Sequence, residues 1–245
     1  MNQLIGAFRR AAYNAFLAAG VEVHRKRESL RFLSLRNIRT VLDIGANEGQ
    51  FARRARVLFP DAKIYSFEPV PDVFRILQRI ERSDRFFTAV NCGFGEQEGE
   101  IDFEANAFTA SSSALAISQT GLEAFPYTAN TRKIRVRMST LDRWAEGQRL
   151  DTPMLIKMDV QGFEDRVIRG GERTIAAAEA VLAEVSFVRL YESQPLFDEI
   201  YGTMCSLGFR PAGMIENTCD PRTGEILQAD AIFVPRRDTA CVVND

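Results

Sequence analysis

A single α/β domain on a mostly parallel sheet is the fold class this sequence predicts, and three observations carry it. The run Val41-Leu-Asp-Ile44 is aliphatic and enters a turn holding Gly45 and Gly49; beyond it, apolar residues of Gln50–Phe59 recur at helical spacing. The β-rich Lys63–Phe67 then precedes another helical segment, and after residue 150 the same strand-then-helix rhythm resumes. At 245 residues and 46% apolar, the chain has material for one substantial core.

Taken in order, residues 1–37 read as one or two helices with Leu4, Ile5, Phe8, Ala12 and Phe16 along one face, an N-terminal helical extension to a domain spanning 38–245. The spacing then predicts strand 41–44, helix 48–58, strand 63–67, helix 71–82 and a strand near 86–92, with Gly99–Glu104 as its hairpin partner. Residues 105–131 lack periodicity and carry Ser111–Ser113, Gly121 and Pro126; long loops of this kind are often functional. Lys133–Met138 alternates polar and apolar as a half-exposed strand does, and Ser139 or Thr140 can cap a short helix through Trp144. Strand Met154–Met158 ends at Asp159, and a helix from Gly162 stops at Gly170-Gly171. Helix 172–178, strand Ala180–Phe187, a helix at about 195–206 and strand Phe209–Met214 follow. Gln228–Val234 closes the chain's strands, and the polar turn from Glu216 to Glu225 suggests an antiparallel hairpin at one sheet edge.

Composition narrows the function. The net charge of −2 gives no sign of nucleic acid as a partner. Charge is uneven, however: residues 1–40 hold eight Arg and Lys against Glu22 and Glu28. A basic amphipathic segment can make a peripheral contact with an acidic membrane surface, or it can be a helical cap whose arginines sit in water. The four cysteines (Cys92, Cys205, Cys219, Cys241) form no CxxC pair, which fits a reducing, cytoplasmic setting. No apolar run approaches the roughly 18 residues of a membrane span, and the signal-like stretch Arg9–Val21 is interrupted by Asn14, so export is not expected. Nothing in the pattern sets an oligomeric state.

Sheets of this type bind ligands outside the carboxyl ends of their strands, which brings Asp43, Glu68, Asn91–Phe94, Asp159 and Glu184 to one side. Hydride-transfer enzymes usually place Gly-x-Gly-x-x-Gly there to cradle a pyrophosphate. Here the turn is Gly45-Ala-Asn-Glu-Gly49, with Asp43 just before it. An acid at that point repels a pyrophosphate but orients an ammonium group. Glu68, 25 residues after Asp43, is placed to accept hydrogen bonds from two ribose hydroxyls. The ligand these features describe has an amino-acid tail and a nucleoside head, the shape of S-adenosylmethionine. Asp43 with Gly45, Ala46, Asn47 and Gly49 would hold the methionine portion, and Glu68 with Pro69 the ribose. Asn91, Cys92 and Gly93 would face the adenine, with Phe94 stacking on it.

Three separated motifs, Asp43-Ile-Gly-Ala-Asn-Glu-Gly49, Ser66-Phe-Glu-Pro69 and Lys157-Met-Asp-Val-Gln-Gly-Phe-Glu164, resemble the FkbM family of S-adenosylmethionine-dependent methyltransferases over about residues 38–235. The resemblance implies the Rossmann-like class I methyltransferase fold, a seven-stranded, mostly parallel sheet whose last strand is antiparallel. It also implies O-methylation of hydroxyl groups on sugars, glycolipids or related metabolites. Many members carry Glu where this chain has Gln161, so a role for that acid does not transfer.

A sugar hydroxyl is a poor nucleophile while protonated, which calls for a base or a metal. The sole histidine, His24, lies in the basic N-terminal run and reads as exposed. Carboxylates are therefore the catalytic candidates: Asp159 first, then Glu184 and Glu164, either of which could join Asp159 around Mg²⁺. Against this, Asp159 can be a helix cap and Glu164 a first-turn acid favoured by the helix dipole, while Lys157 reads as a paired structural residue. Ser111–Ser113 can line an acceptor pocket or simply bend a loop. Two other functions compete with methyl transfer to a small-molecule or glycan acceptor. A nicotinamide-dependent oxidoreductase is disfavoured by Asp43 and the missing third glycine. A non-catalytic cofactor-binding protein would keep most of the same residues.

Overall fold

A computed structural model describes residues 31–236. The chain divides into two compact units, Met1–Leu35 and Arg36–Asp245. Of the first, the described part holds one short helix, Arg31–Ser34. The expected apolar face Leu4 to Phe16, the stretch Arg9–Val21, His24 and Cys241 lie outside the described residues.

The second unit is built on a seven-stranded sheet of order β3-β2-β1-β7-β8-β10-β9. Its centre is β1 (Thr40–Ile44), buried on both faces and paired in parallel with β2 (Lys63–Phe67) and β7 (Met154–Met158). A strand covered on both sides needs a continuous apolar run, which is what Val41-Leu42 and Ile44 supply. β3 (Phe87–Val90) extends the sheet beyond β2, and β8 (Ala180–Ser186) lies parallel to β7. β10 (Ile226–Pro235) runs antiparallel to β8 and to β9 (Phe209–Cys219), which forms the edge. The closing hairpin is as expected, although β9 runs five residues past Met214.

Helices follow the strands. α1 (Gln50–Leu58) starts at Gly49, whose φ of +79° suits glycine. α2 (Pro71–Glu81) buries Val73 and Leu77, α4 (Leu141–Glu146) is N-capped by Thr140, and α5 (Glu164–Arg169) buries Val167 and Ile168. The core between sheet and helices includes Phe67, Phe94, Ile156, Val181, Met204 and Phe233.

One pairing differs from expectation. Gly99–Glu104 is no hairpin partner of β3. It belongs to β5 (Gly99–Asn106), which pairs antiparallel with β6 (Thr131–Ser139) in a separate three-stranded sheet completed by β4 (Gly93–Phe94). Phe103, Ala105, Val136 and Met138 form an apolar face there, and Val70 and Val73 at the start of α2 cover it. Burying that stripe requires the chain to leave the main sheet before residue 99. The intervening irregular segment contains α3 (Gln119–Ala124), capped by Ser118 Oγ accepting from Gly121 N at 3.0 Å, and two 3₁₀ turns. α6 (Glu172–Ala176) and α7 (Phe197–Ser206) complete the unit.

Candidate active site

Parallel strands deliver their following loops to one edge of the sheet, and there the β1 turn meets the β7 loop. Gly45 (φ +78°) and Ala46 each donate a backbone hydrogen bond to Phe67 O, at 3.1 and 2.9 Å. A Cβ on Gly45 would stand 1.8 Å from the Asp159 carbonyl oxygen, so no other residue lets these two loops lie together. The next turn residue, Asn47, donates its N–H to Glu68 Oε2 at 2.9 Å, and Val70 N–H donates to Oε1 at 2.9 Å. Glu68 is thus oriented by main-chain donors from two elements. Burial pushes its carboxyl up to about 7, with the two N–H bonds pulling the other way.

Asp43 lies behind this surface. Its side chain is fully buried; Ser66 Oγ donates to Oδ2 at 3.1 Å, while Oδ1 has no partner. Burial raises it to about 6, and the Lys157 ammonium, on the neighbouring register position of β7, opposes the rise. The side-chain Oδ1 of Asn47 is likewise buried without a partner. Both acceptors belong to the segment formed by β1 and its turn.

A cavity of about 230 Å³ opens over these groups. Of the residues predicted to bind the cofactor, Gly45, Ala46, Asn47, Glu68, Pro69, Cys92 and Gly93 line it. Asp43, Gly49 and Asn91 stand outside the lining. A Cβ on Gly49 would meet Ile80 and Leu77, so that glycine serves the contact between α1 and α2. Asn91 Nδ2 donates to Glu68 O at 2.8 Å and Pro69 O at 3.1 Å, which holds the Glu68 segment in place. Phe94 reaches the wall, but its ring is 2% exposed and packs on Phe67 and Trp144. A ring enclosed in this way leaves no face for stacking on adenine.

The loop after β7 builds the opposite wall. Gln161 (φ +54°) and Gly162 (φ +94°) turn the chain back sharply, and Ser113 Oγ donates to Gln161 O at 2.7 Å. The carboxylate of Glu164 fills the inside of that bend, accepting from Val160 N at 3.0 Å and Gly162 N at 3.3 Å. Burial lifts Glu164 to about 7, and it lines neither cavity. Asp159 does reach the surface. Lys157 Nζ donates to its Oδ2 at 2.8 Å and Gln161 Nε2 to its Oδ1 at 2.7 Å, with the carboxylate still 31% exposed. Burial disfavours the Lys157 ammonium, yet the Asp159 and Asp43 carboxylates outweigh that and hold its pKa above the usual lysine range.

Gln161 joins the two sides of this wall. Its Nε2 also donates to Glu184 Oε2 at 2.9 Å, and its Oε1 accepts from Tyr191 OH at 2.8 Å. Gln228 Nε2 donates to the same Glu184 oxygen at 3.0 Å. Burial, then the Asp159, Glu164 and Asp230 carboxylates, push Glu184 well above the usual range. A second cavity of about 330 Å³ opens here, and Ala110, Asp159 and Gln161 line both cavities. Ser111 lines the second cavity and Ser112 the first, while Ser113 shapes the loop. Sequence reasoning did not single out Tyr191, Gln228 or Asp230. The last two interrupt the apolar run Ile226–Val234, and a polar residue inside a buried strand was the available signal.

Carboxylate oxygens of Asp159, Glu164 and Glu184 that would hold a divalent cation already accept hydrogen bonds. Among the described residues no group of three or more His, Cys, Asp or Glu side chains has metal-holding geometry. Asp159 already accepts from an ammonium and an amide, and Glu164 from two backbone N–H groups. No helix among the described residues is long and apolar enough to cross a membrane.

The strand order, with one antiparallel strand near the edge and an acidic crevice at the carboxyl ends, defines a protein of the class I methyltransferase fold. The chain matches the Methyltransferase FkbM domain over residues 43–211 and belongs to that family. The resemblance read from the three motifs therefore holds. The 2-O-methyltransferase NoeI of Sinorhizobium fredii (strain NBRC 101917 / NGR234) is 31% identical over 161 residues, 63% of this chain and 66% of that protein. The hexuronic acid methyltransferase AglP of Haloferax volcanii is 24% identical over 144 residues, 58% of this chain and 54% of that protein. The chain thus spans less than two thirds of either relative's length. A crystal structure of a methyltransferase FkbM from Methylobacillus flagellatus KT shares the fold, with a TM-score of 0.53, 15% identity, and coverage of 81% of this chain and 44% of that one.

Proposed function

We propose that this chain is an S-adenosylmethionine-dependent O-methyltransferase that modifies a hydroxyl of a glycosyl unit or related metabolite. The observation that carries this reading is the shared wall: Asp159 and Gln161 border the cavity over Glu68 and also the second cavity beside it. A two-substrate transfer needs both ligands to meet at one point, and the carboxyl group of Asp159 stands there. The name of NoeI, a 2-O-methyltransferase, supports an oxygen as the acceptor atom, and that of AglP, a hexuronic acid methyltransferase, supports a sugar-derived acceptor.

In this reading Glu68 accepts the ribose hydroxyls, the unpartnered Oδ1 of Asn47 accepts from the ligand's remaining donors, and Asp43, buried behind the lining, favours the ligand's positive charge from a distance. S-adenosylmethionine, when bound, supplies an electrophilic methyl group on a sulfonium. Asp159 accepts the proton that the acceptor hydroxyl loses, while hydrogen bonds from Lys157 and Gln161 fix its orientation. No step needs a metal. Glu164 acts as the shaper of the loop and Glu184 as the anchor of Gln161 and Gln228. A nicotinamide dinucleotide fits poorly, because a pyrophosphate at the glycine turn would lie close to buried Asp43 and would lack the third glycine that makes room for it. For residues 1–37 we keep contact with an anionic membrane surface as the reading of their charge, and a cytoplasmic setting as that of the cysteine spacing.

Titration calorimetry with S-adenosylmethionine, S-adenosylhomocysteine and NAD tests this reading. Saturable binding of the first two and none of NAD is expected. The opposite preference sinks it.

A further inference from the structure

We infer that the second cavity holds the methyl acceptor as an uncharged glycosyl unit, gripped by an aromatic mouth, and that it turns away hexuronates. This rests on the reading of the first cavity as the S-adenosylmethionine site and adds the class of acceptor. The cavity is walled by Asp159 and Glu184, and among the described residues no Lys, Arg or His lines it. A sugar carboxylate entering it would become another acid in a partly enclosed space with no cation to meet it. Lys157 offers no relief, since its ammonium is engaged by Asp159 at 2.8 Å and it does not line this cavity. Excluding one ligand by an unpaired charge is an effective form of specificity. Hydroxyl groups face no such penalty: the carboxyl oxygens of Asp159 and Glu184 and the phenol oxygen of Tyr191 can accept from them, while the Gln161 and Gln228 amides hold those carboxyls in place.

The mouth supplies the other half of the recognition. Phe108 and Tyr127 meet edge to face with ring centroids 5.2 Å apart, and Phe125 lies 6.0 Å from Tyr127. All three line the cavity, yet Phe108 is 50% and Tyr127 58% exposed. Large rings left in water at a cavity mouth are surface awaiting a partner. The partner that suits them has a C–H-rich face to lie on an aromatic ring and hydroxyls along its edge for the polar floor, as a pyranose does. They come from the segment between β5 and β6, whose serines also reach the Gln161 loop, so the mouth and the floor are joined through Ser113.

The test uses the full chain loaded with S-adenosylhomocysteine and the p-nitrophenyl glycosides of glucose, fucose, N-acetylglucosamine and glucuronic acid. Binding is followed by saturation-transfer NMR, and methyl transfer with labelled S-adenosylmethionine. At least one neutral glycoside is expected to bind, with the glucuronide at least tenfold weaker than the glucoside. Tyr127→Ala and Phe108→Ala, both at exposed positions, should weaken the neutral glycosides at least fivefold while the S-adenosylhomocysteine Kd stays within twofold. A glucuronide bound as well as the glucoside overturns the charge argument. Unchanged glycoside binding in both variants overturns the aromatic mouth. Absence of all glycoside binding with S-adenosylhomocysteine still bound overturns this inference alone, whereas failure of S-adenosylhomocysteine to bind overturns the cofactor reading beneath it.

Discussion

The two walls of the site are built by different means. On the β1–β2 side, backbone N–H groups of Asn47 and Val70 hold Glu68, and the one side-chain bond to Asp43 comes from its register neighbour Ser66. On the β7–β8 side, backbone donors hold only Glu164, away from the cavities, and the groups that line them are held by side chains: Lys157 and Gln161 on Asp159, Gln161 and Gln228 on Glu184, Tyr191 on Gln161. Main-chain donors are fixed by the fold and survive most substitutions, so the first wall suits a ligand that never changes. The second wall can be rewritten residue by residue, which suits an acceptor that differs from one family member to another.

The sharpest way to break this contrast is Asp159→Asn. Loss of the proposed base should lower kcat by about 100- to 10,000-fold, while the S-adenosylmethionine Kd measured by calorimetry stays within about threefold. An equal loss in Kd would mean that the second wall also holds the cofactor. Next in size is Glu68→Ala. It leaves two buried N–H groups unpaired, at about 1–3 kcal/mol each, and removes the ribose acceptor; the Kd should rise by about 10- to 100-fold with kcat at saturation largely kept. A Kd unmoved by this change would detach Glu68 from the ligand.

The pH dependence probes the same wall. In the free protein Asp43 and Glu68 keep protons up to about 6 and about 7. A cationic ligand favours their ionised forms, so affinity should climb as pH rises from 5 to 7, by up to about tenfold per unit for each proton released, and level off near 8. Calorimetry in two buffers of different ionisation enthalpy reads that proton release. For stability the sign reverses. Raised carboxyl pKa values mean the folded chain binds more protons than the unfolded one, so the free protein should lose thermal stability from pH 4 to 7. An apo melting temperature that rises across that window would contradict the burial of these acids. The smallest effect is expected from Ser66→Ala, at about 1 kcal/mol in chemical denaturation with a severalfold change in cofactor Kd.

The same contrast explains what was legible beforehand. The alternation of strands and helices, the glycine turn and Glu68 are local patterns, and the sheet formed as they predicted. The supposed hairpin of residues 86–92 with 99–104 went astray because pairing is chosen by which apolar stripe finds a cover, and Val70 and Val73 lie far from it in sequence. The second wall was visible only in part. Asp159 and Glu184 follow from strand ends, but the partners that orient them come from residues 161, 191 and 228, and no motif links those positions. Asn91 misled for a related reason: its amide is turned back onto the carbonyls of Glu68 and Pro69, a contact across strands that spacing does not reveal.

The absent side chain at Gly45 has a reach beyond its own turn. Because the donor turn rests directly against the carbonyl of Asp159, the two loops share one mechanical reference, and neither can drift without carrying its neighbour along. In the proposed transfer, alignment between methyl and nucleophile is then a property of that junction, insulated from whatever happens at the outer rim. Altering the range of accepted molecules should therefore be attempted around Phe108 to Tyr127, where remodelling leaves the reacting geometry untouched.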